Sequence, residues 1–300
     1  MTAMKKICLM LALVMFTLMV TSAGAVTTAT DMYDRPITLE QPAQRIVALT
    51  AADCEILCAL GMEDALVGRG EYCNYPASVL DKPMVQSGAE TNVEQILMLN
   101  PQLVLMGDMA QDEDVVHALE NAGIAVAVSN ADTIEGMYEA IAMIGALTGK
   151  EAEATQLIAD LQQGFAEVSA RCQNQGKTVY FEVSPLQWGL WTAGTNTFMD
   201  EIAAICGLTN AFADVEGWAA ISEEQVLSRN PDYIVTITMY FGEGPTPQEE
   251  IMARTGWEQV TAVKNAAIFL ADSDSVSRPG PRLLDAAKAL ADFIEELEQE

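Results

Sequence analysis

A single histidine, His117, is the whole supply of imidazole in 300 residues. A zinc or manganese site rich in histidine cannot be assembled from one ring. A serine or cysteine hydrolase would have to use His117 as its base, yet no G-x-S-x-G surrounds a serine. The pattern predicts a surface helix here, with His117 solvated beside Glu113 and Glu120. Gly145-Ala146-Leu147-Thr148-Gly149-Lys150 has the look of a phosphate loop. Its spacing is one residue short, and Glu151 stands where Ser or Thr would bind magnesium. Besides Cys8 there are five cysteines, Cys54, Cys58, Cys73, Cys172 and Cys206. An odd number leaves at least one free or paired between chains. No CxxC is present, so they read first as small buried hydrophobes. Asp and Glu number 43, and no motif singles out a pair for glycoside chemistry. The reading is therefore a binder and not an enzyme, with no cofactor and no protein-bound metal. An exported carboxylate-based hydrolase is the alternative from another class.

Binding chemistry is better represented. Tyr72 and Tyr75 follow one predicted strand, and Trp188 and Trp191 follow another. Trp218 and Tyr240-Phe241 complete a set of large rings in loops. Stiff amphipathic rings suit a broad, partly apolar ligand at low entropic cost.

The elements that position these rings come in two copies. Residues 94–101 read E-Q-I-L-M-L-N-P and residues 224–231 read E-Q-V-L-S-R-N-P. Each is a short helix, an Asn-Pro stop and then an apolar run that reads as a buried strand. Thr91-x-x-Glu94 and Ser222-x-x-Gln225 have the form of capping boxes ahead of them. Residues 121–126 and 265–270 are a second, fainter echo in the same order. Strands are predicted at Arg45–Thr50, Leu66–Arg69, Leu103–Met106 and Ile124–Ser129, then at Thr178–Val183, Tyr233–Thr238 and Ala267–Ala271. Helices alternate with them, the pattern of a parallel sheet covered on both faces. Between the two sets runs a helical stretch that Gly145 and Gly149 should break, leaving 150–171 as a rod of about 33 Å at 1.5 Å per residue. The expected fold class is α/β, two similar lobes, each a parallel sheet covered by helices, joined by a long rigid α-helix. The expected division is 1–25 signal peptide, 26–44 extended segment, 45–133 first lobe, 134–173 connecting helical segment and 174–300 second lobe. A cleft between lobes is the natural binding place.

Lys5 and Lys6 precede the apolar run Ile7–Val20, and small residues follow to Ala25. That is a secretory signal cleaved near Ala25, too short to span a bilayer. Val26, and not cysteine, follows, so no lipid anchor is expected. The expected product is periplasmic or secreted, soluble and not membrane-spanning. A formal charge of −28 repels nucleic acid and anionic lipid and suits a basic docking partner.

From Arg45 onward the chain resembles the helical-backbone (class III) periplasmic substrate-binding proteins of ABC importers for vitamin B12, siderophore iron and haem. The resemblance is carried by Tyr72-Cys73-Asn74-Tyr75-Pro76, Asn92-Val93-Glu94-Gln95-Ile96, Leu190-Trp191-Thr192-Ala193-Gly194, Gly217-Trp218 with Ser222-Glu223-Glu224-Gln225-Val226, and Arg278-Pro279-Gly280-Pro281-Arg282. Its nearest branch is the vitamin B12-binding one. The resemblance implies capture of a corrinoid, or a similar bulky metal chelate, and delivery to a permease dimer with its ATPase subunits. It implies ligand contacts at Tyr72, Trp191, Trp218, Asp274 and Arg278, and permease docking through Glu94 and Glu224. Cobalt would belong to the ligand. Gly88 and Gly107 stand where first-lobe tryptophans are expected. Ferric-siderophore or haem capture is the alternative within the class. Haem would use Tyr72 as axial ligand. A catecholate would need several cations, of which only Arg278 and Arg282 are obvious, with Arg69 a further candidate, and this lowers that option.

Overall fold

A computed structural model describes residues 26–88, 90–107, 113–172, 176–237 and 244–299. The expected signal peptide and Tyr240-Phe241 lie outside the described residues.

The first sheet is built from β3 (Ile46–Ala48), β4 (Leu66–Gly70), β5 (Met84–Val85), β6 (Leu103–Met106) and β7 (Ala125–Val128). Ahead of it, β1 (Thr27–Thr30) and β2 (Pro36–Leu39) pair as an antiparallel hairpin within the segment expected to be merely extended. The second sheet uses β8 (Thr178–Glu182), β10 (Thr209–Asn210), β12 (Tyr233–Thr236) and β13 (Ile268–Leu270). A two-stranded ribbon of β9 (Trp191–Ala193) and β11 (Trp218–Ala220) stands apart.

Both main sheets are parallel, in the orders β5-β4-β3-β6-β7 and β10-β8-β12-β13. The strand that follows each repeated octamer occupies the same place in its sheet. β6 lies between β3 and β7, and β12 between β8 and β13. The octamers also share a conformation. Helix Val93–Leu99 ends at Asn100 (φ 48°, ψ 56°), and helix Glu223–Arg229 ends at Asn230 (φ 48°, ψ 61°). Asparagine tolerates this left-handed geometry, and the following proline forbids continuation of the helix. Sequence repetition has become structural repetition.

Burial on both sides explains why the strands read as continuous apolar runs. Along β6, Leu103 and Leu105 face one apolar cluster while Val104 and Met106 face another. In the second lobe Tyr233 and Val235 face the first of these, and Ile234 faces a third, with Tyr180, Phe212 and Trp257. The shared cluster runs from the inner face of one sheet, through the connecting helices, to the inner face of the other. Ile96 and Val226, equivalent residues of the two octamers, are fully buried in the two outer clusters.

The connecting stretch departs from expectation at one glycine. Gly145 does not break it. Helix Ile134–Thr148 runs through Gly145 and stops at Gly149, which is left-handed (φ 70°). The second helix, Glu151–Arg171, then packs back against the first. A Cβ at Gly145 would lie 2.5 Å from the Ala154 Cβ and 3.2 Å from the Lys150 carbonyl oxygen. Gly145 is therefore the contact that lets two helices meet, which also disposes of the phosphate-loop reading. Helix Ile134–Thr148 rests on β1 and on helix Ala51–Ala59, and Glu151–Arg171 rests on the C-terminal helix Leu283–Gln299. That last helix buries Leu283, Ala286, Ala287, Leu290, Ala291 and Ile294, the spacing of a single apolar stripe. No described helix is long and apolar enough to cross a membrane.

Gly145→Ala is expected to cost about 1–3 kcal/mol, the range for overpacking. Adding Ala154→Gly should recover part of it, since the 2.5 Å contact goes while the Lys150 carbonyl contact stays and a second helix glycine costs about 1 kcal/mol. Thermal melts of both single variants and the double variant check this; additive losses would show that the contact is not limiting.

Candidate functional site

The interlobe cleft begins with a charge cluster. Glu55, the fifth residue of helix Ala51–Ala59, is buried on the first lobe. It accepts from Arg282 Nε (3.0 Å) and Nη2 (2.9 Å), and from Arg278 Nη1 (3.1 Å), all from the second lobe. Arg278 donates further to Asn74 Oδ1 (2.7 Å) and Asp274 Oδ1 (2.6 Å), and Asn74 Nδ2 donates to Asp274 Oδ2 (2.8 Å). The Arg282 guanidinium stacks over the Tyr75 ring at 4.1 Å. Its partner Glu55 raises the Arg282 pKa, outweighing burial. Two carboxylates meet two guanidinium groups, so the cluster is close to neutral and spans both lobes.

Two spaces open on either side of it and share Ser277 and Arg278. The larger, about 700 Å³, is lined by Tyr72, Val183, Pro185, Trp188 and Asp274 among others. The smaller, about 320 Å³, is lined by Thr50, Gly107, Ser129, Asp132, Phe198 and Trp218 among others. Tyr72 and Trp188 are 70% and 77% exposed, so their faces are open to a ligand. Trp218 packs on Phe198 with ring centroids 5.3 Å apart, and its Nε1 donates to Asp132 Oδ1 at 3.3 Å, bridging the lobes.

Of the expected ligand contacts, Tyr72, Asp274 and Arg278 come together on the larger space, and Trp218 lies on the smaller. Trp191 lines neither. It sits on β9, where its carbonyl accepts from Val183 N at 3.0 Å, and it is 43% exposed outside both spaces. Trp188 joins the wall from a turn closed by Gly189; its place among the loop aromatics was the sequence signal. Gly107 lines the smaller space, and Gly88 lines neither. Arg69 is not a cleft cation. It is buried at the end of β4 and donates to its own neighbours' carbonyls, Gly70 at 3.2 Å and Glu71 at 3.5 Å. Below the smaller space, burial pushes the Asp53 carboxyl up to about 6, against the opposing hydrogen bonds of Thr50 and Ser129. His117 is solvated, 3.9 Å from Glu120.

Glu94 and Glu224 are each the second residue of their helices, and both are exposed. Neither forms an ion pair among the described residues. The Ser222–Gln225 capping box is present. The expected Thr91–Glu94 box is not. Asn92 caps that helix, accepting from Gln95 N at 3.0 Å, while Thr91 donates to the Gly88 carbonyl at 3.2 Å. Asparagine at the N-cap is at least as good as threonine, so the cap falls one residue later, and the Glu94 carboxylate takes no part in it. The Glu224 carboxyl is held below its usual range by its own backbone N–H and by the Ser222 hydroxyl.

Two parallel-sheet lobes facing across an aromatic cleft, on a helical connection, define a substrate-binding frame. The chain belongs to the periplasmic binding protein family, whose model matches residues 46–275. It is similar to an uncharacterized ABC transporter substrate-binding lipoprotein of Bacillus subtilis, 32% identical over 274 residues, which are 89% of this chain and 85% of that one. A cobalamin-binding protein of Halobacterium salinarum is 28% identical over 273 residues, 88% of this chain and 73% of the relative. In fold it matches the periplasmic heme binding protein HutB of Vibrio cholerae with a TM-score of 0.77 at 24% identity, covering 84% of this chain and 98% of that one. The protein is thus an ABC transporter substrate-binding protein.

Glu55→Gln should loosen the frame, because two largely buried guanidinium groups then share no carboxylate; the expected loss is about 3 kcal/mol. Chemical denaturation checks it, and a variant as stable as the parent would show the cluster to be solvent-compensated.

Proposed function

We propose that this chain is exported, loses a leader near Ala25, captures a corrinoid between lobes 45–133 and 174–300, and hands it to an ABC permease dimer. In this reading residues 134–173 are the connection, and the protein performs no catalysis. The observation that carries it is the cleft's combination of open aromatic faces with charges already paired inside the protein. A corrin is broad, partly apolar and weakly charged, so it gains ring contacts without needing free counter-ions. An anionic catecholate would have to displace Glu55 or Asp274 from Arg278. The name of the Halobacterium salinarum relative points the same way. Tyr72, Trp188 and Trp218 would hold the ring system, Asp274 and Arg278 its polar edge, and Trp191, exposed on β9 opposite Ser184 of the larger space, would be a further ring contact.

A second reading is haem capture, favoured by the exposure of the Tyr72 phenol at the rim of the larger space. Hydrolysis is less well supported. The lining carboxylates Asp132 and Asp274 are engaged by Trp218 and by Arg278 with Asn74.

Calorimetric titration with cyanocobalamin, haem and ferrichrome tests the ligand. Saturable heat is expected with cyanocobalamin, and Tyr72→Ala and Trp218→Ala should each weaken it at least about tenfold, ~1.4 kcal/mol. Tight haem binding with no cobalamin heat would reassign the cargo.

Glu94 and Glu224 are proposed to dock on basic groups of the permease, one from each lobe, through charge-assisted hydrogen bonds. The double variant Glu94→Ala/Glu224→Ala should keep ligand affinity and lose uptake in cells. Normal uptake by that variant would remove the docking role.

A further inference from the structure

Two of the five cysteines meet where the connecting rod ends against the second lobe. Cys172 directly follows helix Glu151–Arg171, and Cys206 directly follows helix Phe198–Ile205. These two helices pack together, and the two cysteines line one small space. Cys206 is 2% exposed, within the shared apolar cluster, and its Sγ donates to the Ala287 carbonyl at 3.4 Å. Cys172 is half-buried and packs against the same cluster. Beside them lies a void of about 70 Å³, lined by both cysteines with Leu208, Ala291 and Ile294. Either sulfur has room there to turn toward the other.

The first-lobe thiols are arranged differently. Cys54 contacts both Cys58 and Cys73, so those three cannot all be paired. Cys54 and Cys58 project from one helix a turn apart. Cys73 Sγ is committed to the Thr50 and Ala48 carbonyls, at 3.2 and 3.6 Å. Cys172 and Cys206 are the pair in which two separate elements present one thiol each, with no third thiol competing.

We propose that Cys172 and Cys206 form a disulfide site, closed by thiol–disulfide exchange when the chain meets an oxidising dithiol-disulfide partner. The proposal rests on the export half of the proposed function and not on its ligand. Cys172, the accessible member, attacks as thiolate on the partner's disulfide and displaces one partner thiolate, forming a mixed disulfide. Cys206 gives up its proton and attacks Cys172 Sγ, displacing the second partner thiolate. One S–S bond forms here and one breaks in the partner, which takes up the two electrons; the two protons pass to solvent or to the partner's thiolates. The closed loop, 172–206, contains β8 and β9. The bond would tie the end of the rod to the second lobe, adding a covalent stop where helix packing alone now acts.

The full chain, produced with its leader, is recovered from the exported fraction, alkylated without reduction and digested with trypsin. Cleavage after Arg171, Lys177 and Arg229 puts Cys172 in peptide 172–177 and Cys206 in peptide 178–229. The expected product is these two peptides joined, separating on reduction. The N-terminal peptide of the same digest reports whether the leader was removed, so failed export is distinguished from failed pairing. Protein reduced and then incubated in glutathione redox buffer should close the same link irrespective of export. Alkylated 172–177 and 178–229 in both arms, or links from either to a first-lobe cysteine, would overturn the site. Reduction should lower the melting temperature by roughly 5 °C. Cys172→Ser, at the half-exposed position, should melt at the reduced value and ignore reductant; a melt still shifted by reductant in that variant would also overturn it.

Discussion

Glu55 is a buried carboxylate whose charge is met from across the cleft, and the rest of the site is arranged around that fact. Left alone in an apolar setting, a carboxylate costs several kcal/mol. Arg278 and Arg282 compensate it only while the second lobe stays in place, 223 and 227 residues away in sequence. The same contacts fix the Ser277–Arg278 edge that both cleft spaces share. Lobe spacing, the electrostatic character of the cleft and the exposure of its rings are thus one problem with one solution.

This pairing also changes what Arg278 can mean. As a residue type in a loop, arginine reads as a ligand hook. In place, its guanidinium already serves Glu55, Asn74 and Asp274. Any ligand that recruits it must offer at least what those groups offer. Were a strongly anionic cargo to recruit Arg278, Glu55 would keep only Arg282, a cost set by the pairing itself and not by a repulsive group in the wall.

The repeated octamer was the most legible feature of the sequence because it is local. Asn-Pro at a helix end constrains backbone geometry by itself, and an apolar run of four bounded by it has few alternatives to a buried strand. Leu103–Met106 and Val93–Leu99 fall where the pattern put them. Gly145 misled for the opposite reason: a glycine within a helical stretch signals a break locally, whereas here its missing side chain accommodates Ala154 of another helix. The β9–β11 ribbon escaped notice because three-residue strands carry too little periodicity, and its pairing spans some 25 residues. In the cleft, aromatic residues in loops were visible as a class. Which of them reach the wall depends on the Pro185–Gly189 turn and on β9 pairing: Trp188 lines the larger space, whereas Trp191, also exposed, lines neither. Arg69 reads like Arg278 in sequence, yet the end of β4 turns it onto backbone carbonyls.

The rod and the charge cluster limit motion in complementary ways. Helix Glu151–Arg171 is packed along its length, by Ala154 near one end and by Leu161, Phe165 and Val168 further on, and these belong to the apolar cluster common to both lobes. Opening the cleft widely would have to bend a continuous helix, part that cluster and unpair Glu55 together. Each is costly alone, so the accessible movement is small. Adaptation to a bulky ligand then falls to the parts that are lightly packed, the exposed rings of Tyr72 and Trp188 and the turn that carries the latter. A frame held this way would present the two octamer helices at a nearly constant separation. A partner reading Glu94 and Glu224 would therefore need to sense cargo through the rim of the cleft and not through the distance between lobes.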